Sequence, residues 1–71
     1  MSEEIARLLF RLAQDNHSDV RAGAAYGLGE TRYYSEEVIA CLTTLSVDNH
    51  AAVRAAAAKA LGRICRPVPR N

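Results

Sequence analysis

The sequence has little net charge and no long hydrophobic run, and these absences exclude several classes of partner. The formal net charge is +1, so no global field draws the chain to nucleic acid or to an anionic membrane. No apolar run approaches the roughly 18–20 residues that cross a bilayer, and no signal-peptide pattern precedes Ser2. We therefore predict a cytoplasmic protein without a membrane partner. Nucleic acid is also not an expected partner, because the basic residues of the second half are too sparse for a binding patch: Lys59, Arg63, Arg66 and Arg70.

The sequence also lacks the patterns that support catalysis or cofactor binding. No serine or cysteine has a histidine and an acid at usable spacing, and no glycine-rich loop follows a strand. We predict no enzyme activity and no cofactor. His17 and His50 each accompany an aspartate, and such a set has enough ligands for zinc. Because their turns are equivalent positions of stacked units about 8–10 Å apart, the ligands do not converge, and we predict no metal site.

Only two cysteines are present, Cys41 and Cys65, and they form no CxxC pair. We interpret both as small hydrophobic residues buried on helices, with a structural disulfide as the less favoured alternative. This use of cysteine agrees with a reducing, cytoplasmic setting.

What the sequence does contain is an internal repeat. The stretch DNHSDVRAGAAYGLG, residues 15–29, returns 33 residues later as DNHAAVRAAAAKALG, residues 48–62. A fixed period of about 20–50 residues is the signature of stacked repeat architectures. The 71 residues are therefore predicted to form a single domain. Its parts are repeat one at 2–34, repeat two at 35–66 and a tail at 67–71.

Apolar spacing predicts two helices in repeat one, over roughly 3–14 and about 19–30. Ser2 is the expected N-cap of the first helix, and Ser18 or Asn16 that of the second. The second helix contains three glycines, each of which costs up to about 1 kcal/mol relative to alanine. We attribute them to close approach of neighbouring helices, with a helix-ending role as the alternative for the last one. These glycines are Gly23, Gly27 and Gly29.

The residues of repeat two predict a pair of helices equivalent to that of repeat one. Ser35 is the expected N-cap of a helix that ends near Val47, and a second helix covers about 51–65. Pro67 and Pro69 end that helix, so an extended, mobile tail is expected after it. Because the turn inside each pair is short, the chain is predicted to be all-α, with two antiparallel helical hairpins stacked side by side in an α-solenoid.

The twofold pattern D-N-H-x-x-V-R-x-x-A-A-x-x-L-G resembles HEAT repeats, and among them the short class named after the phycobilisome lyases. The resemblance covers residues 3–65 and implies an α-α superhelix of the HEAT/armadillo kind. The first helix of each pair would then line the convex side and the second the concave side. Members of the family usually carry more repeats, with polar caps at the ends. Two repeats without an obvious cap would leave at least one side face apolar.

The resemblance also implies a ladder of side chains that joins one repeat to the next. The turn aspartates Asp15 and Asp48 and the helix arginines Arg21 and Arg54 match the positions that form it. From the residues alone, two interpretations stay open for the arginines: a structural bridge to a turn aspartate or helix carbonyl, or capture of a phosphate or carboxylate.

The outward stripe of the second helices predicts a partner-binding surface. Stripe positions of the two repeats lie side by side and combine a tyrosine, charges of both signs and small residues. Aromatic residues and arginine are enriched at protein interfaces, although a merely solvated face is the alternative. The two tyrosines between the repeats add to this surface, and one of them is expected to pack against the stack. The predicted partner-binding residues are Asp19, Tyr26, Glu30, Tyr33, Tyr34, Lys59 and Arg63.

We therefore predict a non-catalytic module for protein–protein interaction or scaffolding. Repeat arrays usually need roughly three repeats for stability, so a chain with two is also expected to form a homo-oligomer. The alternative is a small subunit or remnant of a bilin-lyase-like enzyme complex, as the family resemblance implies.

Overall fold

A computed structural model describes residues 2–65 as four α-helices without a strand. They are α1 (Glu3–Leu12), α2 (Ser18–Thr31), α3 (Glu36–Leu45) and α4 (Ala51–Ile64). The all-α hairpin prediction is confirmed, and each helix lies within about two residues of its predicted bounds. The tail predicted at 67–71 lies outside the described residues.

Both hairpins begin with the predicted serine caps. Ser2 Oγ accepts a hydrogen bond from the Ile5 amide at 3.2 Å, and Ser35 Oγ accepts one from the Val38 amide at 3.1 Å. Two glutamates follow each serine and face the positive end of the helix dipole.

The cap predicted for the second helix was wrong. The N-cap position of α2 is His17, and no side chain caps that helix. Asp15 Oδ1 accepts the His17 amide at 2.8 Å, and Asp48 Oδ2 accepts the His50 amide at 2.9 Å in the second repeat. An aspartate can bond the backbone two residues on, so it closes the turn before the helix begins. Ser18 therefore lies inside α2.

The core is formed chiefly by α2, α3 and α4, and α1 contributes no buried residue. Ile5 and Val38 are equivalent positions of the two repeats, yet Ile5 is 48% exposed and Val38 only 1%. Among the described residues no earlier repeat covers α1, whereas repeat one covers α3. The buried residues are Ala13, Ala24, Ala25, Leu28, Val38, Leu42, Leu45, Val53, Ala57 and Ala60.

Helices α2 and α4 pack directly on each other, and Gly29 allows their close approach. A Cβ on Gly29 would lie 2.7 Å from both Cα and Cβ of Ala60. Gly29 is helical, and α2 continues to a C-cap at Arg32 with a left-handed φ of 53°, so a helix-ending role is excluded. The packing explanation does not extend to Gly23, which has no neighbour within 4 Å of its missing Cβ.

The two cysteines occupy different environments, and neither forms a disulfide. Cys41 is half-buried, and this burial raises the pKa of its thiol. Cys65 is exposed where α4 ends, so the prediction that both cysteines are buried was wrong for this one. Cys65 is the C-cap of α4 and lies outside the helix, so the apolar spacing of the helix does not determine its burial.

None of the described helices has the length and apolar content that crossing a membrane requires.

Candidate interaction surface

The two repeats are joined by a paired contact between Arg21 and Asp48. Arg21 Nε donates to Asp48 Oδ1 at 2.9 Å, and Nη2 donates to Oδ2 at 3.1 Å. Both side chains are largely buried, with 15% and 13% of their surface exposed. A bidentate arginine–carboxylate contact restricts orientation as well as distance, so this pair constrains how the two hairpins lie against each other.

The same guanidinium also binds the turn of its own repeat. Arg21 Nη1 donates to the carbonyl oxygens of Asp15 at 2.8 Å and Asn16 at 3.1 Å. Its Nη2 lies 3.2 Å from Nδ1 of His50. Arg21 therefore connects the first turn, the second turn and α2, which explains an arginine at this position of the repeat.

These contacts shift the acidity of both turn aspartates. The Arg21 guanidinium, and then the His50 amide, lower the pKa of Asp48 below its ordinary value of 3.8. The pKa of Asp15 is also lowered, chiefly by the hydrogen bond from the His17 amide and then by the His17 ring. Both carboxylates are therefore held in their charged form.

The ladder is incomplete at both ends of the stack. Arg54 Nη1 donates to the Asp48 carbonyl at 2.7 Å, as Arg21 does to Asp15. Within residues 2–65, however, Nε and Nη2 of Arg54 have no partner. The Asp15 carboxylate, 34% exposed, contacts His17 but no arginine of the described chain. One end thus presents an open guanidinium and the other an open carboxylate.

A cleft of about 370 Å³ lies between α2 and α4. Tyr26 of α2 forms one wall, and alanines of α4 form an apolar floor with Lys59 and Arg63 beside it. Its lining residues are Tyr26, Ala52, Ala55, Ala56, Lys59, Ala60 and Arg63. We call these residues, with Glu30, the concave strip.

Arg63 is held in place at one end of the concave strip. It forms an ion pair with Glu30 across the two repeats, and its guanidinium carbon lies 5.6 Å from the centroid of the Tyr26 ring. Lys59 has no ion-pair partner among residues 2–65. The strip therefore combines a small-residue floor, a positioned aromatic ring and an available cation.

The remaining predicted partner residues lie elsewhere. Asp19 is exposed in the first turn of α2 and does not line the cleft. Tyr33 lines a separate recess of about 320 Å³ with residues of α1 and α3. Tyr34 is 64% exposed in the connection between the repeats.

Sequence reasoning missed two alanines of the cleft. The outward stripe of α4 follows positions 52, 56, 59 and 63, a single line along the helix. Ala55 and Ala60 lie beside that line, one helical turn after Ala52 and Ala56, respectively, and they also line the cleft. It also missed the contact between His50 and Arg21, which only the stacked geometry creates.

No metal-binding cluster of three or more histidine, cysteine or acidic residues occurs in the described part of the chain. His17 Nδ1 lies 3.2 Å from its own turn aspartate, Asp15.

Comparison with known proteins gives one match. A family model described as HEAT repeats matches residues 2–70, nearly the whole chain. No curated protein and no solved structure matches the sequence.

Proposed function

This chain belongs to the HEAT-repeat family, and on that premise we propose that it is a non-catalytic module that binds a protein through the concave strip. HEAT repeats are generally protein-interaction modules. The observation that carries the proposal is the cleft beside Tyr26 and Lys59, which offers an apolar floor with a cation at its edge. A helical scaffold acts here by presenting a fixed surface, without a chemical step.

The chemistry of the strip defines the kind of partner. Alanines of α4 leave room for apolar side chains, and Tyr26 supplies a flat contact that loses little entropy on binding. Lys59 attracts a carboxylate. We therefore propose a partner segment with apolar side chains next to an acidic residue.

A photo-crosslinking residue placed in the strip tests this proposal. Ala52 is exposed and lines the cleft, whereas Ala40 is an exposed alanine of α3 outside it. A benzophenone side chain at position 52 should form a discrete adduct with a protein of the native extract, and one at position 40 should not. Equal adducts from both positions, or none from position 52, would contradict the concave strip as the binding surface.

Charge reversal provides the matched variants for that experiment. Lys59→Glu should weaken the adduct at position 52 by about tenfold, on the order of 1.4 kcal/mol, because attraction to a carboxylate becomes repulsion. Arg7→Glu changes the net charge equally on the exposed surface of α1 and should leave the adduct intact. If both variants lowered it equally, the effect would come from net charge and not from the strip.

We also propose that the chain self-associates. Support comes from the open ends of the ladder and from Ile5 and Leu8, which are 48% and 45% exposed although they are large and apolar. A protein that kept the mass of one copy at high micromolar concentration would contradict this.

The phycobilisome-lyase relation stays a prediction, and with it the alternative of a small subunit of a bilin-lyase-like complex. A bound chromophore in protein purified from its native source would support that alternative over a pure interaction module.

A further inference from the structure

We infer that copies of this chain stack head to tail, with the last repeat of one copy against the first repeat of the next. This inference rests on the proposed self-association and specifies its geometry. We define the front face as the outer surface of repeat one, with Ile5, Leu8, Asp15, His17 and Gly27. The back face is the outer surface of repeat two, with Arg54, Ala58, Leu61 and Gly62.

The argument begins with the interface that the chain already contains. Repeat one contacts repeat two through Arg21, which binds Asp48, and through Gly29, which lies against Ala60. Residues 33 positions later on the back face are Arg54 and Gly62. The back face therefore carries the same two contact-forming residues as the interior interface, in the same order along α4.

The front face carries the matching partners. Asp15 and His17 are the first-repeat equivalents of Asp48 and His50, the two residues of the second repeat that Arg21 contacts. A copy that stacked with the spacing of the two repeats would bring Arg54 onto Asp15 and His17 of its neighbour. The two unfilled ends of the ladder are thus opposite in charge, and they occupy the repeat positions that pair with each other inside the chain.

The steric requirement is also met. Gly29 allows Ala60 to approach its backbone, and the equivalent contact between copies would join Gly62 to Gly27. Gly62 has no neighbour within 4 Å of its missing Cβ, so the space that an approaching helix needs is open. With glycine on both sides, this contact is no more crowded than the one inside the chain.

Burial inside the chain indicates what stacking would cover. Ala25 and Leu28 are 0% exposed beneath repeat two. Their back-face equivalents, Ala58 and Leu61, are exposed and half-buried, respectively. Since the two faces differ, the contact is heterologous, and it would extend beyond a dimer unless the rotation closed a ring.

Charge exchange between the two faces tests the inference. In Arg54→Asp, the back face meets Asp15 with a like charge; in Asp15→Arg, the front face meets Arg54 with a like charge. Each variant alone should associate at least about tenfold more weakly than the wild type, by sedimentation velocity. An equimolar mixture should recover association, because each variant's altered face then meets an opposite charge on the other. Circular dichroism melts confirm that both variants remain folded.

Gly62→Ala provides an independent variant, because it alters no charge and its Cβ occupies open space in the single chain. It should retain the fold and lose association, since the added methyl group would meet the neighbour's backbone at Gly27.

The outcomes separate this inference from the function on which it rests. Recovery in the mixture supports head-to-tail stacking. If the wild type associated but every variant associated equally well, self-association would stand and this geometry would be overturned. A wild type that remained single at all concentrations would overturn both, while binding at the concave strip would be tested separately by the crosslinking experiment.

Discussion

At the scale of single residues, Arg21 has the widest set of contacts in the described chain. Its guanidinium binds the Asp48 carboxylate, two carbonyl oxygens of its own turn and the ring of His50. A lysine could supply one point charge but not this planar fork. For Arg21, these contacts favour the structural interpretation over capture of an anion, two alternatives that the sequence left open.

The lowered pKa of Asp48 predicts how stability depends on pH. Folding lowers the pKa of the Asp48 carboxyl below 3.8, its ordinary value. The charged carboxylate therefore stabilises the folded protein at pH values above 3.8, and this stabilisation is lost as the pH falls through the lower pKa of the folded state. Asp48→Asn should therefore lower the urea midpoint at about pH 7. The gap between variant and wild type should shrink toward zero as the pH falls to about 2.

Urea titrations of both proteins over this pH series, followed by circular dichroism, measure the gap. A gap that stayed constant below the ordinary aspartate pKa would show that charge on Asp48 does not stabilise the stack.

At the scale of the helices, the inter-repeat contact depends on the small size of Gly29. Gly29 and Gly62 are equivalent positions of α2 and α4, but only the first faces another helix of the described chain. Gly29→Ala should lower stability by up to about 2 kcal/mol, because overpacking costs about 1–3 kcal/mol and the gain in helix propensity recovers about 1 kcal/mol of it.

Gly62→Ala is the matched control, measured in dilute solution where single chains prevail. It should raise stability by up to about 1 kcal/mol, because it adds helix propensity without a clash. Thermal melts distinguish the two, since 1 kcal/mol corresponds to roughly 4–8 °C in a domain of this size. Equal destabilisation by both substitutions would contradict the close approach at Gly29.

Much of the helical structure was predictable from the sequence, because hydrophobic periodicity and helix capping depend on residues close together in the chain. The apolar stripes and the serines at positions 2 and 35 located all four helices, and the repeat itself predicted the stacked hairpins. The turn at Asp15 was not predictable in detail, because Asp15, Asn16 and Ser18 can each accept a hydrogen bond from a backbone amide near the start of α2. Exposure of Ile5 and Cys65 depends on which repeat neighbours which face, and local pattern does not contain that information.

For the concave strip, too, part of the arrangement was predictable from the sequence and part was not. Side-by-side packing of α2 and α4 followed from the repeat, and it brought Tyr26, Lys59 and Arg63 to one cleft. The ion pair between Arg63 and Glu30 and the separation of Tyr33 from the strip required the three-dimensional arrangement. Linker residues have no periodicity from which a direction can be inferred.

At the scale of the whole molecule, the described chain is one complete inter-repeat interface with half of the same interface on each side. Small domains bury too little surface to be very stable alone. Stacking of further copies would extend the hydrophobic core and complete the ladder at Arg54 and Asp15. The concave strip would then continue along the assembly, and a partner would meet several strips in register.

The most direct test of this account is the solution mass of the wild-type chain by light scattering over a concentration series. We predict a mass that rises from the 7.7 kDa of one chain through and beyond that of two, as expected for an interface that does not close. A helical protein that kept the mass of one chain up to high micromolar concentration would contradict the account.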